Sequence, residues 1–252
     1  MDGRLTGRVA IVTGAGQGAG RGCALALAAE GASVVCVGRT RAPLESVAAQ
    51  IAAAGGTARV SPADVTGAAA RLAVVDDTVA AFGRLDVLVN AAQAPAMRAA
   101  DLLDVTDAEI AELWTSGPVA TLALMRACHP HMKAAGGGSI VNFASGALRR
   151  PAHYGVYAGV KAAIETIGVA AAVEWGPDGI RTNTVVPIVE SPSLDLDLTA
   201  EQRERYRAGI PLGRIGRPEE DVGRAVAFLA GDDAAYVSGN TLRLDGAAWS
   251  AR

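Results

Sequence analysis

The chain has 252 residues and almost no lysine. Of its 23 basic residues 21 are arginine, and the two lysines are Lys133 and Lys161. The net charge of −3 shows no basic excess, which argues against nucleic acid or an anionic membrane as a partner. Half of the residues are hydrophobic, which at this length suffices for one large core or at most two small ones.

Cysteine is sparse as well. Cys23, Cys36 and Cys128 are scattered, without Cys-X-X-Cys spacing or nearby histidine pairs. We therefore expect no disulfide framework, no metal site and a reducing compartment. The sequence shows no leader-like apolar core and no uncharged apolar stretch of about 18 residues. We expect a soluble, cytoplasmic protein that does not bind membranes.

Short β-branched runs alternate with longer stretches rich in alanine and leucine. The runs are apolar at consecutive positions and so predict buried parallel strands at Val9–Thr13, Ser33–Val37, Leu85–Asn90, Ser139–Phe143 and Ile180–Val186. The stretches between them predict helices over 19–30, 41–54, 67–82, 107–134 and 155–175. Such alternation predicts βαβ units and a doubly wound α/β fold, in one domain spanning residues 1–252.

A glycine-rich turn follows the first predicted strand. Gly14, Gly18 and Gly20 fit the spacing TGxxxGxG, and the same segment also satisfies GxGxxG/A. Glycines between a strand and a helix let the backbone pass close to a pyrophosphate, whose charge is met by the amides at the helix N-terminus. The turn therefore predicts nucleotide binding.

The end of the second strand indicates which nucleotide binds. Enzymes that use NAD usually place an acidic residue there, whereas the 2′-phosphate of NADP favours a nearby arginine. Here Gly38 and Arg39 follow the strand, and the first carboxylate is Glu45. The segment favours NADP(H), with NAD as the alternative, and a solvated loop role is the structural alternative for Arg39.

Tyr157 and Lys161 form a YxxxK pair, which places both side chains on one face of a helix. An ammonium beside a phenol favours the phenolate, so we expect Lys161 to lower the pKa of Tyr157 towards the range of a general acid or base. In a chain of 252 residues with four tyrosines and two lysines, the number of such pairs expected by chance is roughly 0.03. Ser145 lies twelve residues upstream, just past the strand ending at Phe143, where strand ends line a ligand crevice.

At these residues the chain resembles the short-chain dehydrogenase/reductase family, and the resemblance covers nearly all of it. The motifs are TGxxxGxG at Thr13–Gly20, Asp64-Val65, a form of NNAG at Asn90–Gln93, Ser145, YxxxK at Tyr157–Lys161, Ile180–Asn183 followed by Pro187, and a C-terminal segment from Pro211 to Gly246. The resemblance implies a single-domain Rossmann fold with about seven parallel strands and helices on both faces. It also implies a small-molecule alcohol or ketone substrate and a homotetramer, or else a homodimer.

The resemblance further implies a role for each matching residue. Tyr157 would exchange a proton with the substrate oxygen, Ser145 would hydrogen-bond that oxygen, and Lys161 would hold the nicotinamide ribose. The remaining cofactor residues implied are Gly14, Gln17, Gly18, Gly20, Arg39, Asp64, Val65, Asn90, Pro187, Ile188 and Ser191. Pro187–Ser191 would close over the nicotinamide, and a substrate lid would span about 188–212.

Three positions depart from the family pattern. Gly117 stands where members usually carry an Asn that holds a water passing protons between the lysine and solvent. Gln93 and Ile188 each replace a glycine. We therefore predict an NADP(H)-dependent oxidoreductase that interconverts a secondary alcohol and a ketone. The alternatives are a catalytically impaired nucleotide-binding protein, acting as a regulator or scaffold, and an NAD-dependent dehydrogenase.

Overall fold

Seven short strands form one parallel sheet in the order β3-β2-β1-β4-β5-β6-β7. Their bounds are β1 Val9–Thr13, β2 Ser33–Gly38, β3 Thr57–Pro62, β4 Val87–Asn90, β5 Gly138–Phe143, β6 Ile180–Pro187 and β7 Thr241–Leu244. The computed structural model describes residues 3–93, 99–149, 151–191 and 199–249. All six strand pairings are parallel, so the carboxyl ends of the strands share one edge.

The strand order reverses at β1, which pairs with β2 on one side and with β4 on the other. In register, Thr13 at the end of β1 faces Val37 of β2 and Asn90 of β4. A reversal of this kind opens a crevice at the carboxyl edge, where open α/β sheets bind their ligands.

Helices cover both faces of the sheet, and two apolar clusters lie beneath them. The helices are α1 Gly18–Ala29, α2 Arg41–Ala53, α3 Ala68–Phe82, α4 Asp107–Trp114, α5 Ala120–Ala134, α6 Gly155–Glu174, α7 Ala200–Ala208 and α8 Arg224–Ala230. Residues of α1, α2 and α8 pack with Val12 and Val34 on one face, while α3, α5 and α6 pack with Ile11 and Val35 on the other. The predicted doubly wound Rossmann fold with about seven strands is confirmed.

The structure differs from the sequence prediction at both edge strands and in the long helix before β5. The edge strands β3 and β7 are half exposed, so they lack the continuous apolar run that marks the five central strands. The helix predicted over 107–134 is interrupted by a π-helical turn at Thr115–Val119. Gly117 has non-helical angles there (φ −92°, ψ −106°), and Pro118 has no backbone N–H for the helix ladder.

Helix α6 is long and apolar enough, by length and composition only, to cross a membrane. Its composition has another explanation, because α6 packs against β5 and β6 of the sheet. Ile164 and Ala171 are buried on that side, and so is the ammonium-bearing Lys161.

A glycine contact holds α1, and with it the glycine-rich turn, against the C-terminal half of the chain. Gly22 of α1 touches the backbone of Pro218, and Gly223 touches the backbone of Gly22. A Cβ at either position would overlap main-chain atoms, which cannot rotate away. The backbones of α1 and the turn at Pro218–Gly223 therefore approach as closely as they do because both residues are glycine.

We predict that Gly22→Ala destabilises the protein by about 1–3 kcal/mol, since the added methyl forces the two backbones apart. For a chain of this size this corresponds to a Tm lowered by roughly 3–10 °C in a thermal unfolding experiment. Gly176→Ala is the matched control, because nothing lies within 4 Å of a Cβ at that exposed glycine. Equal Tm values for the two variants would show that the glycine contact is not what seats α1.

Candidate active site

The glycine-rich turn forms an anion cradle at the N-terminus of α1. Gly14 and Gly18 have φ values of +69° and +51°, a region that side-chain-bearing residues rarely adopt. Helix α1 begins at Gly18 after Gln17, its first turn carries no acidic residue, and no side chain caps its amides. Free amides and the positive end of the helix dipole suit the pyrophosphate of a dinucleotide.

The cradle is locked to the segment after β4. A Cβ at Gly20 would overlap the Gly14 carbonyl, and a Cβ at Gly14 would lie 3.1 Å from the Ala91 carbonyl and the Ala92 nitrogen. The Thr13 hydroxyl accepts hydrogen bonds from the amides of Ala91 and Ala92, each at 3.1 Å. It donates to the Val89 carbonyl oxygen at 3.3 Å. These contacts fix the crevice floor where the strand order reverses.

Arg39, Asp64 and Val65 lie at the ends of β2 and β3, on the other side of the cradle. Arg39 is exposed, and its charge contributes to the lowered pKa of Asp64, after the larger effect of hydrogen bonds from Thr66. Those bonds run to Asp64 Oδ1 from the Thr66 amide at 2.9 Å and from its hydroxyl at 2.8 Å. Arg39 and Asp64 therefore lie close enough to interact electrostatically.

Asn90 closes this part of the crevice from the end of β4. Its Nδ2 donates to Asn142 Oδ1 at 2.9 Å, which ties β4 to β5. Its Oδ1 is buried and has no hydrogen-bond partner among the described residues.

Ser145, Tyr157 and Lys161 come together where β5 ends and α6 begins. Tyr157 lies beside the Ser145 side chain, near enough for that hydroxyl to act on the Tyr157 pKa. The Lys161 Nζ lies 5.6 Å from the centre of the Tyr157 ring and donates to the Phe143 carbonyl oxygen at 3.0 Å. Only 4% of Lys161 is exposed, so its ammonium is held by the end of β5 rather than by solvent.

The prediction that the pKa of Tyr157 is lowered overall is wrong for this arrangement. Burial raises the pKa of Tyr157, and the hydrogen bond from Ser145 offsets only part of that effect. Burial also lowers the pKa of Lys161 to about 8. Removal from water disfavours both the phenolate and the ammonium, and it outweighs their mutual attraction at this separation.

Pro187–Ser191, which is predicted to close over the nicotinamide, brings Ser191 against the cradle. A Cβ at Gly18 would be 3.3 Å from the Ser191 Cβ. Ile188 is held on both sides, its amide bonded to the Leu244 carbonyl and its carbonyl to the Gly216 amide. Of the lid expected over 188–212, residues 192–198 lie outside the described part, while 200–208 form α7.

Two of the family departures meet in space. A Cβ at Gly117 would lie 3.1 Å from Gln93 Oε1 and 2.6 Å from Val160 Cγ1. The Gln93 side chain therefore lies beside the π-helical turn, against the part of α6 that carries Tyr157 and Lys161. Both departures are visible in the sequence, but nothing in the sequence indicates that the two residues are neighbours.

Trp249 is a site residue that sequence reasoning missed. Its indole packs directly on Gly146, the residue after Ser145, where a Cβ would overlap the ring. The Asp245 carboxylate accepts from the amides of Ala247 and Trp249 and shapes this turn, in which Ala247 has a φ of +68°. Trp249 also packs against the cluster of Ile188, Ile210 and Ile215, so it forms an apolar wall beside Ser145.

We predict that Gly146→Ala lowers the free energy of unfolding by about 1–3 kcal/mol, because the methyl group and the Trp249 ring require the same space. In a Trp249→Ala background the same change should cost less than about 0.5 kcal/mol, as urea unfolding of the four proteins in the cycle will show. An equal cost in both backgrounds would place the Trp249 ring elsewhere.

The chain is similar to known proteins over nearly its whole length. A family model described as Enoyl-(Acyl carrier protein) reductase matches residues 14–247. The 12alpha-hydroxysteroid dehydrogenase of a Clostridium species is 36% identical over 255 residues, which cover 97% of this chain and 97% of that protein.

Solved structures share the whole fold. A 7 alpha-hydroxysteroid dehydrogenase, complexed with NADH and 7-oxo glycochenodeoxycholic acid, has a TM-score of 0.91 at 29% identity, covering 96% of this chain and 94% of that one. A Beutenbergia cavernae chain described as an NAD(P)-dependent gluconate 5-dehydrogenase, with bound NADP at low occupancy, has a TM-score of 0.88 at 35% identity over 98% of both chains. With these likenesses and the site geometry, the chain belongs to the short-chain dehydrogenase/reductase family and is an oxidoreductase acting on CH–OH groups.

Proposed function

We propose that the protein is an NADP(H)-dependent oxidoreductase that interconverts a secondary alcohol and a ketone at Ser145, Tyr157 and Lys161. One observation carries the proposal. Ser145, Tyr157 and the buried Lys161 lie together at the carboxyl edge of the sheet, next to an anion cradle.

The residues present fit a nicotinamide dinucleotide. Gly14, Gln17, Gly18 and Gly20 would hold the pyrophosphate, because the α1 amides have no acidic neighbour in the first turn. The adenosine end would lie between Arg39, Asp64, Val65 and Asn90. When bound, the cofactor supplies or accepts the hydride. Pro187, Ile188 and Ser191 would enclose the nicotinamide end of the cofactor.

Tyr157 is suited to be the proton donor in reduction. Its raised pKa keeps the phenol protonated at neutral pH, and the Ser145 hydroxyl lies beside it. Both hydroxyl groups can donate a hydrogen bond to a substrate oxygen. These hydrogen bonds strengthen as that oxygen gains negative charge. The Lys161 ammonium stabilises the phenolate that remains after the proton has left. In oxidation the same groups act in reverse.

The substrate side of the site supports an apolar alcohol or ketone. Trp249 and Ile188 form its wall next to Ser145. Two proteins to which the chain is similar are named as hydroxysteroid dehydrogenases, which favours a steroid-like substrate. We also propose a homotetramer, or else a homodimer, since α6 and β7 expose Val169, Val173 and Leu242.

Replacement of Arg39 tests the choice of cofactor. We predict that Arg39→Ser weakens NADP⁺ binding about 10–100-fold, because a phosphate loses a charge-assisted hydrogen bond, and leaves NAD⁺ binding unchanged. Titration calorimetry with each dinucleotide measures both affinities. Arg41→Ser is the control, since that guanidinium lies 3.5 Å from Glu45. Equal affinity of the unchanged protein for NAD⁺ and NADP⁺ would contradict the role of Arg39.

The pKa of Lys161 sets an expected pH profile. Because burial lowers that pKa to about 8, the ammonium is present below pH 8 and is lost above it. Ketone reduction should therefore fall as pH rises through about 8, by up to about tenfold per pH unit. The measurement is kcat/KM against pH, from loss of NADPH absorbance with a panel of cyclic and steroidal ketones.

Tyr157→Phe is the control for this profile, since it removes the proton donor and should abolish reduction at every pH. A profile that stays flat well above pH 8 would contradict the role of Lys161. NADPH binding without turnover of any ketone or alcohol would favour the catalytically impaired alternative.

A further inference from the structure

The side chain of Gln93 is held in one orientation beside the π-helical turn. Its Nε2 donates to Ser116 Oγ at 2.9 Å and to the Leu113 carbonyl oxygen at 3.4 Å. The Ser116 hydroxyl donates a hydrogen bond to the Glu112 carbonyl oxygen at 2.8 Å. Both groups that face the amide are thus acceptors, so the nitrogen must point at them and Oε1 must point away.

Gln93 Oε1 is buried and has no hydrogen-bond partner among the described residues. It lies 3.1 Å from the place that a Cβ of Gly117 would take, and Val160 Cγ1 lies 2.6 Å from the same place. Val160 directly precedes Lys161 and lies one helical turn after Tyr157. The unpaired oxygen therefore sits between the π-helical turn and the part of α6 that bears the catalytic pair.

An unpaired buried acceptor weakens folding, and an apolar side chain of the same shape would avoid that loss. Gly117 also makes room for it, because a side chain at that position would press on the carboxamide and would fit only if the Val160 side chain moved aside. π-Helical turns of this kind are frequent at functional sites. Gln93 and Gly117 thus form a matched pair. The carboxamide of Gln93 reaches the site from the loop after β4, and the π-helical turn at Gly117 supplies no side chain there.

We propose that Gln93 is a positioning residue for proton exchange at Lys161, its Oε1 holding the water through which the ammonium trades protons with solvent. This rests on the proposed function of Ser145, Tyr157 and Lys161. The ammonium has three N–H donors, of which one goes to the Phe143 carbonyl oxygen. In each reduction Tyr157 gives one proton to the new hydroxyl group, and one solvent proton returns to the phenolate by way of this water and Lys161.

The scarcity of lysine provides a test that does not require turnover. With isotope-labelled lysine, the NMR spectrum of the whole chain has two side-chain signals, from Lys161 and Lys133. Tyr157 is the titratable group that faces Lys161. Burial is the cause of the lowered Lys161 pKa. No described charged side chain on β5, β6 or the π-helical turn contributes to that pKa.

Gln93→Met should lower the Lys161 pKa further, by about half a unit or more, because the ammonium loses a hydrogen-bonded water. Lys133 pairs with Asp178 at 2.7 Å on the surface and should not move. In the exchange Gln93→Gly/Gly117→Asn, the carboxamide comes from the turn, and the Lys161 titration should return towards that of the unchanged protein. A Lys161 titration that is the same with and without Gln93 overturns the proposal.

Turnover supplies a second readout. Gln93→Met should lower kcat of ketone reduction about 10–100-fold, with KM and NADPH affinity within about threefold, and should enlarge the solvent isotope effect. The exchanged double variant should recover most of the loss. Gln50→Met, on the outer face of α2, is the control for the same substitution elsewhere. A raised KM and a lowered Tm with unchanged kcat would assign Gln93 a structural role only.

The two proposals fail separately. A shifted Lys161 signal in a protein that turns over no substrate would overturn the proposed function and keep the role of Gln93. Normal turnover with an unshifted Lys161 signal would overturn the role of Gln93 alone.

Discussion

Burial of one ammonium group governs the chemistry of this protein. Lys161 is almost entirely removed from water, and its Nζ is tied to the end of β5 by the Phe143 carbonyl oxygen. Because a buried cation is unfavourable, the surroundings must supply acceptors and an aromatic face, and they do so through β5 and Tyr157. The same burial lowers the pKa of Lys161 to about 8 and raises that of Tyr157, so at neutral pH the phenol keeps its proton and the ammonium lies close to its titration range.

The parallel sheet makes this burial possible. Its strands end at one common edge, so the loop after β4, the end of β5 and the segment after β6 converge although they are distant in the chain. The Thr13 hydroxyl ties the glycine-rich turn to the β4 loop, and the Gly22–Gly223 contact seats α1. Glycine appears at each of these points because two backbones meet there, and a Cβ would separate them.

Much of the fold could be predicted from the sequence. The five central strands and the long helices carry apolar patterns of their own, so their prediction needed only short-range periodicity. The π-helical turn at Gly117-Pro118 was missed because its sequence is otherwise helical on both sides. The edge strands β3 and β7 were missed because they depend on pairing with a neighbour rather than on an apolar run.

For the candidate site, the sequence alone was enough to propose which groups take part: the glycine-rich turn, Arg39, Ser145 and the Tyr157–Lys161 pair are recognised by their spacing along the chain. Only the tertiary structure decided how those groups behave. The direction of the Tyr157 pKa depends on burial, which exceeds the local effect of a lysine one turn away. The meeting of Gln93 with Gly117, and of Gly146 with Trp249, depends on packing between elements that the chain order keeps apart. Local patterns fix backbone shape and residue chemistry, whereas solvent exclusion and long-range contact exist only once the chain has folded.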